Sequence, residues 1–243
     1  MIFVPVSHSM DELLRIATSW GLHLDQRQIE QFARYSAELR AWNMRVNLTS
    51  ITDEREIVTR HFLDSLRCAL SWGDTPSRLI DIGSGAGFPG LPLKILHPEL
   101  HVTLVESVGK KAAFLQHIVA VLDLRDVTVV TARAEVVGRD PQHREQYDVV
   151  TARAVAELAT LVEYGLPLCR VGGRFLAPKG SAIDDEVARA RIAIARLGGQ
   201  VIGVEPVEIP GVELRTLVVI VKVAPTPAAY PRAVGIPAKR PIR

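Results

Sequence analysis

Four glycines stand within eight residues in Leu79-Ile-Asp-Ile-Gly83-Ser-Gly85-Ala-Gly87-Phe88-Pro-Gly90. They follow a short apolar run that carries a single carboxylate, Asp81. The run has the form of a buried parallel strand. Glycines directly behind such a strand let the backbone turn tightly and approach a ligand more closely than a Cβ would allow. A helix is expected to begin near Phe88. The stretch reads as a site for a nucleotide-like cofactor.

Two ligands compete for it. Gly85, Gly87 and Gly90 fit a G-x-G-x-x-G pattern, which on its own is a weak sign of a dinucleotide. Glu106 ends the second strand candidate nineteen residues beyond Gly87, where a carboxylate can accept ribose hydroxyls of either ligand. Three features favour S-adenosyl-L-methionine. Asp81 precedes the first glycine by two residues, a place for a carboxylate near the donor's ammonium or its solvent network. Gly83-Ser-Gly85-Ala-Gly87 is compact, and Ala134-Glu135, just past the third strand candidate, offers an acid to the adenine amino group. Plainer readings stand beside these. Asp81 can cap a helix, Glu135 can be a first-turn acid favoured by the helix dipole, and Arg153 can pair with a nearby acid.

The elements that must position these residues change character along the chain. Ser9-Met-Asp-Glu12 has the form of a capping box, followed by Leu13, Leu14, Ile16, Ala17 and Trp20 at helical spacing. Gly21 closes that helix, and Asp25 opens a second in which Ile29, Phe32, Ala33, Ser36, Leu39 and Trp42 recur every three or four residues. Arg60 to Leu66 falls on a further helix. Residues 1–76 thus form a helical extension, linked to the rest through Asp74–Ser77. From Arg78, strand candidates at 78–82, 101–106, 127–131, 147–153 and 173–177 alternate with helices at 88–96, 109–122, near Glu135, 156–164 and 181–197. That rhythm predicts a parallel sheet with helices on both faces and right-handed crossovers. Residues 201–209 and 214–223 flank Pro210-Gly211 as a hairpin. The expected fold is α/β and Rossmann-like, that of class I S-adenosylmethionine-dependent methyltransferases. Its seven-stranded, mostly parallel sheet ends in a C-terminal antiparallel hairpin. The methyltransferase domain is assigned to 77–224 and a basic tail to 225–243.

Composition narrows the function classes. Hydrophobic residues make up 48% and charged residues 23% of the 243, which suits a globular chain with a sizeable core. The apolar run Leu217–Val221 is far too short to span a bilayer. Nothing at the N-terminus has the form of an export signal. Cys68 and Cys169 stand alone, so neither a disulfide framework nor a zinc site is expected, and a reducing cytoplasm fits best. The last twenty residues carry Arg232, Lys239, Arg240 and Arg243 with no acid, so the positive excess of the chain, +2 overall, lies in them. A basic tail suits phosphate contact.

A set of motifs makes the chain resemble the bacterial 16S ribosomal RNA guanine-N7 methyltransferase G family, also known as glucose-inhibited division protein B. They are Asn47-Leu-Thr-Ser50, Arg60-His61-x-x-Asp64-Ser65, Ile80 to Pro92, Ser107-x-x-Lys110-Lys111-x-x-Phe114-Leu115, Thr151-x-Arg153-Ala154, and the ending from Pro231 to Pro241. The resemblance runs from about residue 10 to the C-terminus. It implies methylation of guanine N7 at position 527 in the usual 16S numbering, in the decoding region of the small subunit. It also implies a donor site of Gly83, Phe88, Ala134, Glu135 and Arg153, with Glu106 and Ser107 near the ribose. Two departures are mild: Glu106 stands for an Asp found in some relatives, and Phe88 for a Leu.

Guanine N7 carries an in-plane lone pair and no proton, so its methylation requires no general base. No catalytic residue or metal is therefore expected, and the rate rests on proximity and in-line orientation. On the acceptor side, Asn43, Asn47 and Thr49 are candidates for base edges, and Arg60, His61, Lys110, Lys179, Arg232, Lys239 and Arg240 for the RNA backbone. The expected partner is 16S rRNA, free or within the 30S subunit, with no membrane and with the chain as a monomer. The competing functions are methylation of a small molecule or another RNA, and an inactive RNA-binding module.

Overall fold

The computed structural model describes residues 7–74, 76–181 and 183–243. Thr75 of the expected link, Ala182 of the expected fifth helix and the first six residues lie outside them. The chain opens with α1 (His8–Ser19) and α2 (Gln26–Asn43). A continuous helical segment follows, made of α3 (Glu54–Ile57), a π-helical stretch (Val58–Leu63), α4 (Asp64–Leu66) and a 3-10 turn (Arg67–Leu70). Strands and helices then alternate: β1 (Arg78–Ile82), α5 (Gly90–Leu96), β2 (His101–Val105), α6 (Gly109–Val121), β3 (Val127–Val130), α7 (Ala134–Val137), β4 (Tyr147–Ala152) and α8 (Leu158–Gly165). The last elements are β5 (Cys169–Lys179), α9 (Asp184–Arg196), β6 (Gly199–Val207), β7 (Arg215–Lys222) and α10 (Ile236–Lys239).

Among the described residues seven strands form one sheet in the order β3-β2-β1-β4-β5-β7-β6. β1 to β5 run parallel, and the β6–β7 hairpin docks antiparallel on β5. The expected architecture is the one observed. The chain leaves β1 toward β2 and β3, then returns to β1's other side as β4. This reversal opens a crevice at the carboxyl ends of β1 and β4, the place where open α/β sheets bind ligands.

Alternation along the strands builds two apolar layers. Leu79, Val102, Leu104, Val149 and Leu176 face one way and share a cluster with Phe32, Tyr35, Leu39 and Phe62 of the N-terminal helices. Ile80, Ile82, Val105, Val150 and Phe175 face the other, against α8 and α9. The N-terminal helices thus have no separate core; they cover one face of the sheet. No helix among the described residues is long and apolar enough to cross a membrane.

Two local expectations need correction. The capping box at Ser9 does not form: the N-cap of α1 is Ser7. Glu12, its expected reciprocal partner, binds Arg55 instead, at 2.9 and 3.2 Å. The helix starts two residues earlier than the box requires, and the Arg55 guanidinium gives the carboxylate two charge-assisted bonds. The second helix behaves as read, with a reciprocal box between Asp25 and Gln28. The helix expected from Phe88 begins at Gly90, because residues up to Pro89 are still occupied by the turn.

The C-terminal segment is ordered against the sheet's second layer. Arg139 Nε donates to Pro231 O at 2.7 Å, Arg144 donates to Tyr230 O and Thr226 O, and Ile242 is buried. Arg232 grips the fully buried Glu163 through Nε and Nη2, the latter at 2.6 Å. These contacts make the segment a strap across α8.

Candidate functional site

Two clefts meet at the carboxyl ends of β1 and β4, and Gly83 lines both. The first, about 220 Å³, has walls of Ile82, Val105, Ala132, Ala134 and Tyr164, with Ser107 and Glu135 at its polar end. The second, about 360 Å³, is lined by Thr49, His61, Gly83–Ala86 and Phe88, with four cations, Arg60, Lys111, Arg153 and Arg215.

The glycine loop divides its labour. Gly83 and Gly87 have φ of +67° and +95°, where a side chain is strained. A Cβ on Gly83 would stand 2.5 Å from Val155, between the clefts. One on Gly87 would meet Leu91 and the Tyr35 hydroxyl. Gly83 therefore lets Val155 close over the junction of the clefts, whereas Gly87 lets α2 close on the loop. Gly85 turns with φ +57° and donates its N–H to Glu106 at 3.0 Å. The other Glu106 oxygen accepts from Val108 N–H at 2.7 Å. Ser107, next along, is exposed in the first cleft.

Asp81 is fully buried, with one oxygen 3.2 Å from Gly90 N and the other 3.0 Å from the Thr151 hydroxyl. Burial pushes its carboxyl up to about 6, against the pull of those donors. The geometry is that of a cap on α5, the plainer of the two sequence readings. Neither cleft includes Asp81 among its walls.

Phe88 is buried as well. Its ring stacks on His61 at 4.5 Å and on Tyr35 at 5.3 Å, and the Arg153 guanidinium lies 5.1 Å from its centroid. The Tyr35 hydroxyl donates to Ala86 O. Phe88 is thus the peg by which the N-terminal helices hold the glycine loop, and it also lines the second cleft.

Arg153, at the end of β4, donates to Asp64 Oδ2 at 2.8 Å and to Arg60 O at 3.1 Å, and lies 3.1 Å from His61 Nδ1. Arg215 approaches the same Asp64 oxygen at 3.7 Å. His61 Nε2 shares a hydrogen bond with Thr49 Oγ1 at 2.9 Å. Burial, then the Arg153 charge, push the His61 imidazole down to about 3, so it is neutral near pH 7. The π-helical stretch carries both groups that meet Arg153 beside Asp64, the Arg60 carbonyl and the His61 ring. Such stretches recur at functional sites. Ala154 follows with φ +56°, a strained conformation for a residue with a Cβ, at the lip of the second cleft.

Glu135 is buried at the floor of the first cleft and accepts from Gly235 N–H of the strap at 2.8 Å. Its second oxygen lies 3.8 Å from Arg133 Nε. Ala134 lines the same cleft.

The residues expected on the acceptor side separate. Thr49, Arg60 and His61 line the second cleft. Asn43 instead staples its own loop, accepting from Leu48 and Thr49 N–H and donating to Thr49 O. Asn47 and Lys110 are exposed outside the cleft, and the neighbour Lys111 faces it. Lys179 holds Ala156 O and Glu186, at 2.8 and 2.7 Å. Arg232 is committed to Glu163, while Lys239 and Arg240 remain exposed. Sequence reasoning missed Lys111 as a wall, and also Arg215, Tyr164 and Ala238. No local pattern marks the last three, because sheet order and the strap bring them in.

A family model described as rRNA small subunit methyltransferase G (GidB) matches residues 28–213. A ribosomal RNA small subunit methyltransferase G from Roseiflexus castenholzii is 99% identical over 233 residues, covering 96% of this chain and 100% of the relative. That of Chloroflexus aggregans is 58% identical, covering 95% and 97%. Among solved structures, cofactor-bound Rv0187 from MTB is similar with a TM-score of 0.57 at 16% identity, over 79% of this chain and 89% of that one. The last similarity concerns the fold alone.

Proposed function

Because the chain belongs to the rRNA small subunit methyltransferase G family and is an rRNA methyltransferase, we propose that it moves a methyl group from S-adenosylmethionine to N7 of one guanine in 16S rRNA. The observation that carries this reading is the junction of two unlike clefts at Gly83. The first is mostly apolar, with Ser107, Arg133 and the Glu135 carboxylate as its polar groups, which fits an adenosine. The second carries four cations and no carboxylate on its walls, which fits a phosphate-bearing acceptor.

The residues present fit the donor. Ile82, Val105, Ala132 and Ala134 would flank the adenine, and Glu135 would accept from its amino group. Glu106 and Ser107 would take the ribose, with Glu106 giving up its bond to Gly85 N–H. Gly83 borders both clefts, and in the second Arg153 is the cation suited to the donor's carboxylate. Bound there, the donor supplies an electrophilic methyl on a sulfonium.

The protein's own part is placement. Thr49, His61 and Phe88 offer the acceptor base a polar and aromatic wall, and Arg60, Lys111 and Arg215 offer its phosphates cations. Neutral His61 adds no positive charge beside a purine ring that becomes cationic on methylation. No side chain needs to remove a proton, since N7 has none, so in-line alignment of N7 with the methyl supplies most of the acceleration. The exposed Lys239 and Arg240 extend the basic surface on the strap. The enzyme acts as a monomer in the bacterial cytoplasm on rRNA or its subunit particle.

Donor identity is tested by melting the protein with S-adenosylhomocysteine or NAD. S-adenosylhomocysteine at about a hundred times its Kd stabilises by about 2.7 kcal/mol and raises the melting temperature, whereas NAD leaves it unchanged. A shift with NAD alone would overturn the donor assignment.

A further inference from the structure

The expected role of the basic tail was phosphate contact, yet its inner side faces the first cleft. Ala238, on α10, forms part of that cleft's wall, opposite the sheet. Gly235 N–H holds one oxygen of the buried Glu135 at 2.8 Å. We propose that the C-terminal strap is the outer wall of the donor site, and that its Gly235 N–H is a latch that orients Glu135 toward the adenine amino group. This rests on the donor reading above.

The strap is built to hold that position. Arg232 anchors it on Glu163, and its Nη2 also donates to Arg240 O at 2.7 Å, closing the segment into a loop. Thr160 Oγ1 donates to Pro237 O at 3.3 Å, and Ile242 plugs into the core. Between these anchors lie Gly235, whose N–H meets Glu135, and Ala238, which lines the cleft. Gly235 has φ +81°, which aims its N–H at Glu135 and which a residue with a Cβ adopts only with strain.

The chemistry follows from what a buried carboxylate needs. Glu135 is 2% exposed and meets the strap's N–H with one oxygen. A carboxylate fixed in this way presents its remaining lone pairs in set directions, and an exocyclic amine is a donor that can use them. An oxo group in the amine's place cannot donate and would face the acid's lone pairs. The latch therefore governs base identity, and the wall governs whether any adenosine enters. Gly235 is in this sense a positioning residue, and Ala238 a contact residue.

Two variants separate the parts. Ala238→Trp fills the wall position and raises the Kd for S-adenosylhomocysteine at least about tenfold, read by calorimetry on the full chain. Ala233→Trp, exposed on the same strap but absent from the cleft wall, stays within about twofold of the unaltered protein. Matching melting temperatures for the ligand-free variants show that both fold. Gly235→Ala strains the latch without a clash, since a Cβ there meets nothing within 4 Å. Its expected effect is a loss of preference for S-adenosylhomocysteine over S-inosylhomocysteine, which lacks the amino group. A purely structural strap would weaken both ligands equally and leave the preference intact, which would overturn the latch. Unchanged affinity in Ala238→Trp would overturn the wall. Failure of the unaltered chain to bind S-adenosylhomocysteine would instead overturn the donor reading itself, and the strap's role with it.

Discussion

Arg232→Ala lowers the stability of the fold by about 3 kcal/mol, the lower end of the cost of leaving one member of a buried ion pair alone. Glu163 has no exposure at all, and Arg232 supplies its backbone N–H, Nε and Nη2 to that carboxylate. Removing the guanidinium leaves the buried carboxylate with the backbone N–H of residue 232 as its remaining partner there. The Arg232 side chain itself is 28% exposed, so solvent softens the loss and the lower figure applies. Equilibrium urea unfolding reads the effect as a lower midpoint. Adding Glu163→Gln to the same chain recovers much of it, because the stranded charge is then gone. A midpoint unmoved by Arg232→Ala would show that the strap contributes little to the fold.

The second large effect is expected at Arg153. Its guanidinium touches Asp64, Arg60 O and His61 while covering Phe88, and so ties the π-helical stretch to the glycine loop. Arg153→Ala loosens the second cleft and the glycine loop that borders it. Displacements of about 1 Å cost about a hundredfold in rate when alignment carries the catalysis, so kcat/KM falls about a hundredfold, or about 2.7 kcal/mol. Arg153→Lys keeps the charge but not the planar fork that serves several partners, and falls between the two. Methyl-transfer kinetics on small-subunit particles read this directly. An Arg153→Ala enzyme with normal kcat/KM would remove Arg153 from the site.

What could be read from the residues was what is local or periodic. The glycine loop, the strand–helix rhythm and the closing hairpin are patterns within a few residues of one another, and the sheet order follows from them. Asp81 shows where such reading stops. A carboxylate two residues before a glycine loop fits either a ligand or a cap, and only the folded chain shows that it accepts from Gly90 N–H at the start of α5. The tail shows it again. Its charges suggested phosphate, but Arg232 meets an acid 69 residues away and Gly235 meets one 100 residues away. Glu163 sits in an apolar helix with no local sign of a partner. Arg215 enters the second cleft from β7, docked on β5, and nothing in its own local spacing marks it. Glu12 of the expected Ser9 box is likewise met from afar, by Arg55, 43 residues on.

The central claim is that placement alone lets this site methylate a guanine N7. Its most direct measurement is incubation of small-subunit particles lacking the modification with methyl-labelled S-adenosylmethionine, followed by borohydride and aniline cleavage of the RNA. The account predicts one labelled N7-methylguanosine in 16S rRNA, seen as a single new cleavage. Label on an exocyclic amine, a ribose or a protein, or no transfer at all, would contradict it.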